Sequence, residues 1–168
     1  GLIGYLNKRK RGHMLMGMTI GEKILAKASG KDVVKPGEII NAKVDLCMSN
    51  DGTTHLNIDI FEKQLKAEKV FDPEKIIFII DHNVPAESAK TAEAHKKMRI
   101  FSQKHNIPFY EGAGVCHQIM IEDYVVPGQL IIAADSHTCS YGGLGAFGTG
   151  VGCTDVTSVM HTGEIWLM

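Results

Sequence analysis

Ile131-Ile132-Ala133-Ala134-Asp135-Ser136-His137-Thr138, followed by Gly142-Gly143-Leu144-Gly145-Ala146-Phe147-Gly148-Thr149-Gly150-Val151-Gly152, is the stretch on which the reading of this chain turns. An apolar run of strand character passes directly into an acid, a hydroxyl and an imidazole. It then enters a backbone whose glycines allow close wrapping around a ligand. An apolar run bounded by polar residues suits a strand buried on both faces of a parallel sheet. Open α/β sheets carry their chemistry at the carboxyl ends of such strands, so a site is expected just after Ala134.

Working outward, the same arrangement recurs. Ile76-Ile77-Phe78-Ile79-Ile80 is too short to span a membrane and ends in Asp81-His82-Asn83. Pro108-Phe109-Tyr110 leads through Glu111-Gly112-Ala113-Gly114 to Val115-Cys116-His117-Gln118. If these strands are parallel neighbours, His82, His117 and His137 converge on one crevice. Asp81 and Asp135 could each hold an imidazole in one tautomer and raise its basicity, as general acid or base catalysis requires.

The remaining elements fit an α/β domain. Thr19-x-x-Glu22 is a capping box opening a helix near residues 20–28, which Ser29-Gly30 ends. Residues 38–48 alternate as one strand, with Ile40, Ala42, Val44, Leu46 and Met48 on a common face. From the polar turn Asn50-Asp51-Gly52-Thr53-Thr54 to about Lys66 the periodicity is ambiguous, and the helix-starting residues favour helix. Pro85 to His105 reads as a long helix with Ala94, Met98 and Phe101 as its apolar stripe. Thr154-Asp155 opens a last helix through Trp166. The expected fold is a three-layer α/β/α domain with a mainly parallel sheet.

Composition narrows the function classes. The 168 residues suffice for one domain, and 44% hydrophobic with 22% charged residues is a globular composition. A formal net charge of −1 gives no basic excess for nucleic acid, and no apolar run reaches the about 18 residues of a membrane span. Neither a nucleic-acid nor a membrane partner is therefore expected. Cys47, Cys116, Cys139 and Cys153 show no C-x-x-C pair and read as reduced thiols of a cytoplasmic protein, buried hydrophobes before metal ligands. Cys139, two residues after His137, is the one expected to line a pocket. Residues 1–17, with Lys8-Arg9-Lys10-Arg11, read as a vector-derived or loose extension, and residues 18–168 as the domain. The apolar Ile165-Trp166-Leu167-Met168 needs a covering element, so the chain is expected to be a piece of something longer.

Two other uses of these motifs remain open from the residues alone. Gly143-x-Gly145-x-x-Gly148 matches a dinucleotide loop, although Asp135 to Gly142 separates it from its strand and no ribose-binding acid follows a second βαβ unit. A mononuclear metal hydrolase built on His82, His117, His137 and Asp135 is chemically possible, although no H-x-H or H-x-x-x-H spacing is present. His55, His95, His105 and His161 read as structural or exposed.

Four motifs in order, Asn50-Asp51-Gly52-Thr53-Thr54, Asp81-His82-Asn83, Gly114-Val115-Cys116-His117-Gln118 and Asp135-Ser136-His137-Thr138-Cys139 with its glycine loop, resemble the aconitase superfamily. The likeness runs from about Met18 onward and is strongest to the N-terminal part of archaeal-type large subunits that act on isopropylmalate or homoaconitate. It implies a hydro-lyase that moves a hydroxyl between adjacent carbons of a di- or tricarboxylic acid by dehydration and rehydration. In isopropylmalate enzymes this serves leucine biosynthesis. By motif, His82 would protonate the departing hydroxyl with Asp81 as its partner. His117 and Asp135 would form a second pair at the substrate oxygen, His137 would assist, and Ser136 and Asn50 would orient a substrate carboxylate. The resemblance further implies a [4Fe-4S] cluster in the complete enzyme. Its cysteines are expected downstream of Met168, and no metal is expected on this chain alone, which is expected to be inactive by itself. A small subunit with a swivelling domain would supply the catalytic base.

Overall fold

The computed structural model describes residues 17–168. The expectation for the N-terminal extension, with its basic run Lys8 to Arg11, lies outside the described residues.

In chain order the elements are α1 (Ile20–Ser29), β1 (Ile40–Lys43), β2 (Leu46–Asn50), α2 (Thr54–Asp59, continued by a π-helical turn, Ile60–Gln64), β3 (Ile76–Ile80), α3 (Ala89–His105), β4 (Phe109–Glu111), α4 (Cys116–Asp123), β5 (Leu130–Ala133), a 3-10 segment (Ser136–Leu144), β6 (Phe147–Gly150), α5 (Cys153–Thr162) and β7 (Glu164–Leu167). Five strands form an all-parallel sheet in the order β4-β3-β2-β5-β6. Along the chain the sheet grows from β2 through β3 to β4, then restarts on the other side of β2 with β5 and β6. The order reverses at β2 and β5, which is where ligand crevices form in such sheets.

Both faces of the sheet are covered, which gives the expected three layers. Ile76, Phe78, Ile80, Leu130 and Ile132 face a core shared with Ile24 of α1, Ile58 and Phe61, Met98 and Phe101 of α3, and Val156, Val159 and Met160 of α5. Met48, Ile77, Ile79, Ile131 and Ala133 face the other core, with Ile119 and Met120 of α4 and Tyr141 of the 3-10 segment. Every residue of β2, β3 and β5 is buried, as continuous apolar runs require. Right-handed crossovers account for the division: growth in one direction puts α2 and α3 on one face, and the reversal puts α4 on the other.

Local chemistry sets the boundaries. The capping box of α1 is formed in both directions, with the Glu22 N–H on Thr19 Oγ1 at 3.2 Å and the Thr19 N–H on Glu22 Oε2 at 2.6 Å. Residues 54–64 are helical, and Thr54 fixes the start by donating to the Asn50 carbonyl. α3 starts at Ala89, not Pro85: Ser88 is its cap, accepting from the Thr91 N–H at 3.1 Å, and Pro85 lies in the preceding loop after a cis peptide.

Two further expectations change. The predicted strand 38–48 is two strands, because the chain switches sheets at Asp45. The Asp45 N–H donates to the Leu130 carbonyl and its carboxylate accepts the Leu130 N–H, locking β2 onto β5. Ile40, Ala42 and Val44 therefore serve one core, and Leu46 and Met48 the other. The last helix ends at Thr162, where Gly163 adopts a left-handed φ of 73°. Residues 164–167 then form β7, antiparallel to β1, which buries Ile165 and leaves Trp166 exposed. Among the described residues no helix is long and apolar enough to cross a membrane.

Candidate active site

The carboxyl ends of β2, β3 and β5 each run into an aspartate: Asp51, Asp81 and Asp135. Adjacent parallel strands in register bring these three acids to one edge of the sheet, at the reversal point. Around them lie all the residues singled out from the sequence.

Asp81 and His82 form the first pair. His82 Nδ1 lies 2.7 Å from Asp81 Oδ1, while Asp81 Oδ2 accepts the Cys116 N–H at 2.7 Å. The carboxylate thus sits at the N-terminus of α4, where unpaired N–H groups favour an anion. It also ties the His82 turn to the helix that carries His117. The side chain of His82 is 50% exposed and that of Asp81 6%, so the acid is the buried anchor and the imidazole the accessible group. The hydrogen bond to Asp81 lifts the His82 imidazole above its ordinary value against the opposing effect of burial, with Asp51 and Asp135 adding to the lift.

The second pair is longer than the sequence suggested. His117 Nε2 lies 2.9 Å from Asp135 Oδ1, and its Nδ1 lies 2.9 Å from the phenol oxygen of Tyr141, which is fully buried. Burial acts to raise the Asp135 carboxyl, but the His137 N–H and the His117 imidazole outweigh it and hold Asp135 below the ordinary value. An ionised carboxylate only accepts, so His117 carries its proton on Nε2, and in the neutral ring Nδ1 accepts from the Tyr141 O–H. Burial pushes the Tyr141 phenol well up, so it stays a donor. The result is a continuous relay from Tyr141 through His117 to Asp135.

His137 joins this relay from the rim. Its N–H donates to Asp135 Oδ1 at 2.7 Å, its Nδ1 is 3.2 Å from the same oxygen, and its ring centre is 5.9 Å from that of His117. Its side chain is 80% exposed. Asn50 is buried and donates from Nδ2 to Asp135 Oδ2 at 3.4 Å, while its Oδ1 accepts the Gly52 N–H. Ser136 is exposed at the start of the 3-10 segment, as is Cys139 within it.

Asp51, Asn83 and Tyr141 were missed as site residues. For Asp51 the available signal was the strand-end acid, present after β2 as after β3 and β5. For Tyr141 it was a lone large aromatic in a stretch of small residues.

Two of the loop's glycines serve a contact within the fold. A Cβ on Gly148 would stand 2.2 Å from the Thr138 carbonyl oxygen, and one on Gly150 2.3 Å from that of Asp135. These glycines let β6 pack against the chain's own 135–138 turn, so their role here is close backbone contact within the fold and not a dinucleotide cradle. Donor atoms of His117, Asp135 and His137, and of Asp51, Asp81 and His82, do lie within 4.8 Å of one another. The Asp51, Asp81 and Asp135 carboxylates already accept from N–H groups or pair with imidazoles, and a cation would have to displace those bonds to use them.

Residues 22–168 match the sequence profile of the Aconitase family (aconitate hydratase). The chain is 55% identical over 155 residues to the 3-isopropylmalate dehydratase large subunit of Aquifex aeolicus, covering 90% of this chain and 36% of that protein. It is 54% identical to 3-isopropylmalate dehydratase large subunit 1 of Pyrococcus furiosus, covering 89% and 36%. The corresponding figures for the probable 3-isopropylmalate dehydratase large subunit of Methanothermobacter thermautotrophicus are 48% identity, with 90% and 36% coverage. The chain thus spans about 36% of the length of these curated relatives. With a profile match over nearly the whole domain, and strand-end acids and imidazoles gathered at the reversal point of its sheet, this chain belongs to the aconitase family.

Proposed function

We propose that this chain is the proton-handling first domain of a hydro-lyase large subunit, which isomerises a hydroxy di- or tricarboxylic acid of the isopropylmalate type by dehydration and rehydration. The observation that carries the reading is the pair of acid-held imidazoles, His82 on Asp81 and His117 on Asp135, whose acids end β3 and β5 on either side of β2. The names of the relatives support the substrate class.

Hydroxide is a poor leaving group, and a positioned imidazolium removes that barrier by protonating it as the C–O bond breaks. His82 suits this role, being accessible and held protonated to higher pH by Asp81. His117, with Asp135 behind it, contacts the substrate's hydroxyl oxygen as the second proton-exchanging group, and His137 extends that surface. Ser136 and the remaining N–H of Asn50 orient a substrate carboxylate. Rehydration at the neighbouring carbon runs the same proton transfers in reverse.

The iron–sulfur cluster of the family finds no ligand set among the described residues. No cysteine joins a metal-donor group, and the buried Cys47 and Cys116 thiols are pushed up to about 12. The proposal assigns the cluster to sequence this chain does not cover. The relatives' designation as large subunits supports a small-subunit partner, to which the proposal assigns the base that removes the carbon-bound proton.

The test is hydration of isopropylmaleate by the full-length subunit with its small subunit, followed by the same assay with His82→Ala. Turnover in the parent enzyme and a large loss in the variant are expected. No turnover with any unsaturated diacid, in an enzyme with its cluster intact, would overturn the reading.

A further inference from the structure

We infer that Asp51 is a positioning residue of this site: its buried carboxylate clamps the 81–83 turn, and through it the His82 imidazole, to the end of β2. The catalytic consequence rests on the function proposed above; the clamp itself rests on geometry.

Asp51 directly follows the last residue of β2 and is 4% exposed. In the β2–β3 register Asn50 faces Ile79, so the Asp51 side chain reaches just past the last rung of the ladder. There the N–H groups of Asp81, His82 and Asn83 have lost their sheet partners. Oδ1 accepts from the Asp81 and His82 N–H groups at 3.2 and 3.1 Å, and Oδ2 from the Asn83 N–H at 2.9 Å and Asn83 Nδ2 at 3.0 Å. Three consecutive backbone donors on one carboxylate fix the path of the turn, and charge-assisted bonds of this kind are the stronger ones.

Two imidazoles flank the same carboxylate. His82 Nδ1 is 3.6 Å from Oδ1, and His95 Nε2, on α3, is 3.6 Å from Oδ2. His95 is 4% exposed, and its Nε2 has no hydrogen-bond partner among the described residues. Asp51 therefore links the body of the domain to the turn whose one accessible base is His82. The charged and titratable groups acting on His82 are Asp81, Asp51 and Asp135, and those beside Asp51 are Asp81, His82, His95 and Glu87.

Neutralising Asp51 loosens the clamp and also removes a negative charge that favours the protonated His82. A residue that merely closed a turn would show the first effect alone. In the complete enzyme, Asp51→Asn is expected to lower kcat roughly 10- to 100-fold, as a displaced catalytic group does. KM should stay unchanged, and the alkaline limb of the pH–rate profile should move to lower pH. In an His82→Ala background the same substitution should cost nothing further. Losses that multiply in the double variant, or a parent-like alkaline limb, would overturn the inference. Should Asp51→Asn fail to fold, Asn83→Ala decides, because it removes one of the four donors while keeping the Asp51 charge; a lowered kcat with KM unchanged and the alkaline limb in place is expected, and a parent-like kcat overturns. If His82→Ala itself keeps full turnover, the proposed function falls while the clamp remains testable. Amide hydrogen exchange at residues 81–83 should then be faster in the Asp51 variant with β3 unaffected, and unchanged exchange there would sink the clamp.

Discussion

His82 and His117 are both held by aspartates, yet their settings give them different work. His82 is half exposed and, among the described residues, hydrogen-bonded through one nitrogen only, so on the proposed function it is the group that meets substrate; His117 has both nitrogens engaged. His82→Ala should therefore lower turnover by roughly 10²–10⁴-fold, the usual worth of a positioned general acid, with little effect on thermal unfolding. Since Asp81 raises the imidazole, the parent's activity is expected to persist above the ordinary histidine range and to fall as pH rises through the shifted value. Tyr141→Phe removes the donor to His117 Nδ1 and leaves the ring held by Asp135 alone. A loss of roughly 3- to 10-fold in kcat/KM is expected, matching one hydrogen bond, and parent-like kinetics would remove Tyr141 from the relay. Six of the seven side chains chosen from the sequence stand at or just beyond a strand end, where a pattern of apolar run and polar stop is visible locally, and His117 joins them from the first turn of α4, which Asp81 ties to the end of β3. Asp51 and Tyr141 stayed hidden because their partners are 30 to 32 and 24 positions away, and no local pattern reports such a contact.

At the scale of elements, the glycine-rich stretch reads as backbone built for close approach, and the structure supplies one partner. Glycine density announces that backbone must come close to something, but not what that something is. Here it is the Asp135–Thr138 turn, against which β6 lies at backbone distance. Gly148→Ala is a sharp probe, since its methyl would meet a carbonyl oxygen at 2.2 Å and neither strand nor turn is a flexible side chain. Destabilisation of roughly 1–3 kcal/mol is expected in denaturant unfolding, together with reduced turnover because the displaced segment carries Ser136 and His137. Unchanged stability would mean that the contact is looser than described. Strands β3 and β5 and the helix at 89–105 were legible because burial and amphipathicity write their own periods. The strand at 38–48 kept a period of two while changing sheets at Asp45, so alternation alone could not reveal the break. β7 was taken as helix because its apolar residues follow a helix with only Gly163 between, and its partner β1 lies more than a hundred residues earlier.

At the scale of the whole molecule, the division of labour follows from how the sheet is wound. Reversal of strand order at β2 and β5 opens one crevice, and the acids and imidazoles ending those strands and their neighbours fill its edge. The thiols do not gather with one another there, although Cys116 lies beside Asp81 and Asn50. Cys47 lies within β2 and Cys116 at the buried start of α4, both as protonated thiols raised by burial, while Cys139 is exposed and Cys153 only partly buried. A cluster needs thiolates gathered on one side of a site, and this arrangement supplies none. Two measurements check that reasoning from opposite directions. This chain alone, incubated with iron and sulfide under reducing conditions, should develop no stoichiometric cluster absorption. The full-length subunit carrying Cys139→Ser and Cys153→Ser should keep the cluster absorption of its parent, because those sulfurs are not ligands. Loss of absorption in that double variant would place a cluster ligand on this domain, and the crevice would then have to be read as holding iron through its own thiols as well as protons through its imidazoles.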